Sequence, residues 1–279
     1  MNTLIDYRDL IKVSGVLSLT DCSNLNVALL DTGIFFDHPD FNSDKIIIPK
    51  IYNSKSEIID NIGHGTHMAG LLCADCKGKT GVIGLAPKAT LTIFKVVDDN
   101  GVSNITKIQT ALDYILAHNS DFDLVNMSFD IIYDEFMRIS DSIDKIKESG
   151  IIMLASAGDD DFLTDKMNFP AYSRSIFSVG AIKNQFLQLY QKNGFFQNVD
   201  FFYSNTKLTS TFLSPKLYTD MENCSPFTAL SSGLVLNIIQ NSKKQKNERF
   251  EFLQNYLHQL AYSFQELTSL DTNTLYKTN

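Results

Sequence analysis

The chain alternates short apolar runs with stretches in which apolar residues recur every three or four positions. Six runs read as strands: "NVALL" at 26–30, "KIIIP" at 45–49, "TLTIFKVV" at 90–97, "DLVNMSF" at 123–129, "GIIMLAS" at 150–156 and "SIFSVGA" at 175–181. Most are nearly continuous in apolar residues, as strands are when both faces of their sheet are covered. Between them, Ile105, Ile108, Leu112, Ile115 and Leu116 share one helix face behind Ser103 as candidate N-cap, and Phe136, Ile139, Ile143 and Ile146 do the same in a second helix. Two more helices are predicted, from about His64 to Ala74 and from Ser225 to about Gln240; Pro226 falls in the first turn of the latter, where a missing N–H costs no hydrogen bond. Residues 183–224 are polar, aromatic-rich and weakly periodic, and read as β-ribbon and loop. This alternation predicts an α/β fold with a mostly parallel central sheet flanked by helices.

Composition narrows the setting. With 279 residues, 44% of them apolar, and neither linker nor repeat, residues 1–279 read as a single domain with a large core. A net charge of -8 argues against nucleic acid or an anionic membrane as partner. The basic run "SKKQKNERF" at 242–250 reads as a solvated helix face. The first residues carry acids and no signal-type apolar core, and no run of 18 apolar residues occurs, so a cytoplasmic monomer is expected. Four cysteines in a chain this long do not suggest a disulfide framework; Cys73 and Cys76 form a lone CxxC, read as helix-end packing before zinc or redox chemistry.

The candidate chemistry sits at element ends. The first strand runs into Asp31, with Gly33 two residues on to turn the chain; "GHGTHMAG" places His64 at a helix start between two glycines; Ser225 opens the helix of "ENCSPFTALSSG", with Ala229, Ser232 and Gly233 permitting close packing behind it. Asp, His and Ser in that order suggest a nucleophilic triad. His67, three residues along the helix from His64, reads as a packed, hydrogen-bonded histidine.

These motifs resemble the subtilisin-like serine proteases, or subtilases, over about residues 24–240. "VALLDTGIFFDHPDF" is similar to the family's aspartate motif, "GHGTHMAG" to its histidine motif and "SPFTALSSG" to its serine motif; "GVIGLAPKATLTIFKV", "VNMSF" and "FPAYSRSIFSVGA" agree in order and spacing. The resemblance implies a subtilisin-like three-layer fold and a serine endopeptidase: Ser225 attacks a peptide carbonyl, His64 accepts its proton and returns it to the leaving amine, and Asp31 orients the imidazole. It also implies that Ser128, Phe129 and Asp130 on one strand end and Ser156, Ala157 and Gly158 on another bind an extended peptide substrate by strand addition. Asp130, with Asp160, Asp161 and Asp165, then raises a basic or hydrogen-bonding side chain before the scissile bond against acids that simply face solvent.

Departures from the family pattern stand out. In "IIMLASAGDD", Asp159 occupies the place where the family has an asparagine that donates to the oxyanion, alongside the Ser225 N–H. An ionised carboxylate there would repel the developing charge by on the order of 4 kcal/mol at ~4 Å and an effective dielectric of ~20. Losing one donor costs roughly 3 to 4 kcal/mol in such a site. Either Asp159 is protonated and donates, or the Ser225 N–H works with another donor. The pair Asn223-Cys224 replaces Gly-Thr, which questions the local backbone and puts a thiol beside the nucleophile. No cofactor is required; calcium is raised by Asp40, which matches a ligand position of one family site, but "CADCKGKT" has no match to the loop that should complete it, so weak or no binding is expected. With few residues before Asp31 and an Asn-, Lys- and Ile-rich composition, the chain more narrowly resembles cytoplasmic peptidases that remove leaders from lanthipeptide (lantibiotic) precursors. The rival readings are a general intracellular turnover protease and a peptide-binding pseudoprotease.

Overall fold

The computed structural model describes residues 4–7, 20–77, 80–158, 168–182, 199–204, 207–214 and 216–257. In chain order its elements are β1 (Leu4–Asp6), β2 (Asn26–Asp31), β3 (Ile46–Ile47), α1 (His64–Cys73), β4 (Gly81–Ile83), β5 (Thr90–Lys95), α2 (Ile105–Ala117), β6 (Leu124–Met127), α3 (Tyr133–Glu148), β7 (Ile152–Ser156), β8 (Phe177–Ile182), β9 (Phe201–Ser204), β10 (Leu208–Thr211), β11 (Tyr218–Met221) and α4 (Cys224–Ser242). A further helical stretch covers 249–257.

Seven strands make one sheet in the order β3-β5-β2-β6-β7-β8-β9, with every pairing parallel. Side chains alternate across it. Val27, Leu29, Leu91, Ile93, Leu154 and Val179 face a core shared with α1 and α4. Ala28, Leu30, Phe94, Val125, Met127 and Met153 face a second core shared with α2 and α3. The result is three layers, helix on sheet on helix, which is why the strand sequences are apolar on both faces. The outer helices are amphipathic: α3 buries Phe136, Ile139, Ile143 and Ile146, opens with Asp134 and Glu135, and closes with Lys145 and Lys147, the charge order that suits its dipole. The inner helices have little polar surface; in α1 every residue after His64 is buried. Among the described residues no helix is long and apolar enough to cross a membrane.

Several expectations need adjustment. The strand expected at 45–49 shrinks to Ile46–Ile47 on the sheet edge, where Pro49 has no N–H to extend a ladder. Helix α2 is capped by Asn104, whose side chain accepts from the Lys107 N–H, and not by Ser103, whose hydroxyl goes to the Asp130 carbonyl. Two strands had no sequence signal: β1 and β4, three residues each, pair in parallel as a separate edge ribbon. Within 183–224, β9 closes the sheet and β10 and β11 form an antiparallel ribbon. Residues 183–198, like Asp159, Asp160, Asp161 and Asp165, lie outside the described residues.

Candidate functional site

Because β2, β6 and β7 are parallel neighbours, their carboxyl ends bring Asp31, Ser128 and Ser156 to one edge of the sheet. Helix α1 then returns over β2 and sets His64 against Asp31, with the imidazole Nδ1 2.7 Å from the carboxylate Oδ1. The Thr32 N–H donates to the same oxygen at 2.7 Å, while Oδ2 is buried without a hydrogen-bond partner. Asp31 is 1% exposed and His64 22%, so the carboxylate is shielded and the ring edge stays reachable. The approach is close enough to demand glycine: a Cβ on Gly65 would lie 2.3 Å from the Gly33 carbonyl oxygen.

The start of α1 is organised by Asp60, which the sequence reading passed over. Its N-cap, Gly63, has a φ of 94° and offers no side chain. Asp60, 3% exposed, substitutes for one: Oδ1 accepts from the N–H groups of Ile62 (3.0 Å) and Gly63 (2.8 Å), and Oδ2 from the Thr66 N–H (2.8 Å) and hydroxyl (2.7 Å). Oδ1 also accepts from the Thr32 hydroxyl at 2.9 Å, and that hydroxyl in turn accepts from the Gly65 N–H at 2.8 Å. The signal was present: a helix starting "GHGT" has no capping side chain of its own, so an acid a few residues upstream is needed to meet its unpaired N–H groups.

His67, one turn along α1 from His64, is fully buried. Its Nε2 donates to the Leu208 carbonyl at 3.1 Å, its Nδ1 has no partner, and burial lowers its pKa to about 4. The ring is therefore neutral at ordinary pH.

Ser225 sits in the first turn of α4, buried beside the end of β6. Its hydroxyl donates to the Ser128 carbonyl at 3.3 Å, and the Ser128 hydroxyl donates to the Ser225 carbonyl at the same distance. Asn126 donates to Ser128 Oγ at 3.0 Å and accepts from Ser232 at 3.0 Å, so strand β6 and helix α4 are stitched together directly beneath Ser225. The Asn223-Cys224 replacement is accommodated without strain. Asn223 is fully extended (φ -169°, ψ -174°), a conformation open to any residue, though its buried Oδ1 has no partner. The Cys224 thiol is fully buried and donates to the Val179 carbonyl of β8, so it faces the core and is not the accessible thiol its place in the sequence suggested.

Of the expected substrate-binding residues, Phe129 and Ala157 have buried side chains in the α2–α3 core and can offer only backbone groups. Ser128 and Ser156 are buried, Gly158 is half-buried and Asp130 is exposed. Asn168 spans the gap between the two strand ends: its N–H donates to the Ala157 carbonyl at 3.3 Å and its amide to Asp130 Oδ2 at 3.4 Å.

Asp40 is held within the protein. Its Oδ2 accepts from the Val82 N–H at 2.8 Å and its Oδ1 from the Tyr218 hydroxyl at 3.1 Å. Among the described residues no three His, Cys, Asp or Glu side chains are grouped to hold a metal. Cys73 and Cys76 are both buried and in no disulfide, and burial pushes the Cys73 pKa upward, away from the thiolate that metal or redox chemistry needs.

Comparison with known proteins agrees with this arrangement. The model of a family described as "Subtilase family" matches residues 23–253. The minor extracellular protease Epr of Bacillus subtilis (strain 168) is 31% identical over 226 residues, covering 80% of this chain and 33% of that protein. An intracellular serine protease of Paenibacillus polymyxa is 31% identical over 182 residues, 62% of this chain and 54% of its own length. Subtilisin E of Bacillus subtilis (strain 168) is 32% identical over 166 residues, 58% and 42% respectively. The chain thus spans about a third to a half of the length of these relatives.

Proposed function

This chain belongs to the subtilase family, and we propose on that premise that it is a serine endopeptidase with Ser225 as nucleophile, His64 as general base and then acid, and Asp31 as the group that orients the imidazole. The observation that carries the reading is the 2.7 Å contact between His64 Nδ1 and the buried Asp31 carboxylate, which fixes the Nδ1–H tautomer and leaves Nε2 to take a proton. In the resting molecule the Ser225 hydroxyl rests on the Ser128 carbonyl; for attack it turns toward His64, a tightening expected when substrate fills the cleft. The Ser225 N–H is among the first four of α4, which a helix leaves without intrahelical partners, and it points the positive end of the helix at the forming oxyanion. Asp159, in its protonated form, is the second donor in this scheme.

The substrate is an extended peptide laid along Ser128–Asp130 and Ser156–Gly158. Asp130 and Asn168, at the far end of that slot, favour a basic or hydrogen-bonding side chain before the scissile bond. For the narrower substrate we put forward the leader segment of a lanthipeptide precursor, cut in the cytoplasm; its support is the chain's Asn-, Lys- and Ile-rich composition. Intracellular turnover is the competing reading, favoured by the likeness to an intracellular serine protease.

A fluorophosphonate probe tests the core of this. Wild type should be labelled at Ser225 and Ser225→Ala should be neither labelled nor active, whereas thiol reagents should leave activity intact because Cys224 is buried. A folded wild type that resists the probe and cleaves no peptide refutes the assignment. Intact-mass analysis then separates the substrates: one cut in a leader-bearing peptide supports leader removal, and broad digestion of unfolded protein supports turnover.

A further inference from the structure

We propose that Asp60 is a positioning residue for the Asp31–His64 pair, holding in one register the strand end that carries the carboxylate and the helix start that carries the imidazole. This rests on the reading of Asp31 and His64 as orienting acid and base.

The two groups come from elements joined by a long loop, and a 2.7 Å contact between them requires that the tip of β2 and the first turn of α1 be fixed against each other. Asp60 touches both. On the helix side it takes the N–H groups of Gly63 and Thr66 and the Thr66 hydroxyl. On the strand side it takes the hydroxyl of Thr32, whose own N–H holds Asp31 Oδ1. Thr32 closes the loop by accepting the Gly65 N–H, so the residues that follow Asp31 and His64 are bonded to each other as well as to Asp60. An ordinary cap would need only the helix N–H groups; the bond to Thr32 is what makes the carboxylate a shared reference point. Asp60 is itself held from behind: its N–H donates to the Ile34 carbonyl at 3.2 Å, and Lys95, in register with Asp31 on the neighbouring strand, donates to the Ile59 carbonyl at 2.8 Å. Five donors on one buried carboxylate leave little freedom for either oxygen, and an amide of the same shape would turn an N–H toward donors whichever way it faced.

The test compares Asp60→Asn and Thr32→Val with a control, Gly70→Ala. The control strains the far end of α1, where a Cβ would lie 2.2 Å from Thr211 Oγ1 and 2.3 Å from Ser210 Oγ, and leaves the Asp31 contact alone. Thr32→Val keeps the bonds of Asp60 to Gly63 and Thr66 and removes the hydroxyl through which the strand end reaches both Asp60 and the Gly65 N–H; Thr32→Ser should restore wild-type behaviour. Both Asp60→Asn and Thr32→Val are expected to lower kcat by about 10²-fold, with KM changed by less than about threefold, and to lose or broaden the low-field proton resonance of His64 Nδ1–H, assigned by its absence in His64→Ala. Retention of that resonance and of kcat in both variants, or losses no larger than those of Gly70→Ala at an equal fall in Tm, overturns the role. The resonance reads the Asp31–His64 contact whether or not any peptide is cleaved, so a wild type without peptidase activity would sink the proposed function and still decide this question.

Discussion

Replacing His67 by glutamine should remove a specific part of the protein's acid sensitivity. The ring is fully buried, donates one hydrogen bond to Leu208 and has a pKa lowered to about 4, chiefly by burial and secondarily against the raising effect of that bond, with His64 adding to the depression. In the unfolded chain the same ring titrates near ~6.5. Below that pH the unfolded state binds a proton that the native state refuses, so the stability contributed by neutral His67 is complete above about pH 6.5 and drains away as pH falls toward about 4. From those two values the loss is about 2 kcal/mol at pH 5 and about 3 kcal/mol at pH 4. Glutamine is of similar size, can still donate to Leu208 and does not titrate. Urea unfolding at pH 7.5 and pH 5, done in the Ser225→Ala background to prevent self-digestion, reads the difference. Wild type should lose about 0.7 M more in midpoint than His67→Gln over that interval, taking an m-value of about 3 kcal/mol/M. His38, whose pKa is also lowered by burial, contributes equally to both proteins and cancels. Parallel midpoint-against-pH curves for the two proteins would falsify the linkage.

Two further outcomes follow from the cleft. Gly65→Ala places a methyl 2.3 Å from the Gly33 carbonyl oxygen and 3.2 Å from Asp31 Cβ, about 1 Å inside ordinary contact; the helix start must retreat, and kcat/KM should fall by about 10²-fold, so a fully active variant would show that the close approach is dispensable. For Asp159, wild-type kcat/KM should decline on the alkaline side as the oxyanion donor ionises, and Asp159→Asn should hold its activity there; a wild-type profile flat to high pH and unmoved by the substitution assigns the donor elsewhere.

The sheet was legible because its strands are buried on both sides, and burial writes itself into sequence as unbroken runs such as "NVALL" and "GIIMLAS". Asp31, His64 and Ser225 stood out as candidates for the opposite reason: each is a reactive polar residue at the point where an apolar element ends. Elements stabilised mainly by what lies opposite them left no such trace. Strand β1 is three residues long and exists through its pairing with Gly81–Ile83 and a bond from Tyr7 to Thr209, partners far away in sequence. Ser103 and Asn104 are equally good caps on paper, and the choice between them is made by the Asp130 carbonyl, which occupies the serine. Asp60 is a single acid in a polar loop until folding brings five donors to it. The partners of Asp40 were equally hidden: its motif gives no sign that the Val82 N–H and the Tyr218 hydroxyl donate to its carboxylate.

The site is unevenly spread along the chain. Asp31 and His64 are 33 residues apart, whereas the strand contact that seats Ser225 reaches back 97 residues to Ser128. A ribosome therefore delivers Asp31 and His64 early, with the parallel strands β5 to β8 following, and Ser225 only with helix α4, the element that completes the inner layer. A chain whose translation stops between His64 and Ser225 carries the residues of the acid–imidazole contact without the serine hydroxyl. Under the proposed function such truncated products lack the nucleophile needed to cut other proteins, a safeguard that follows from the order of the elements.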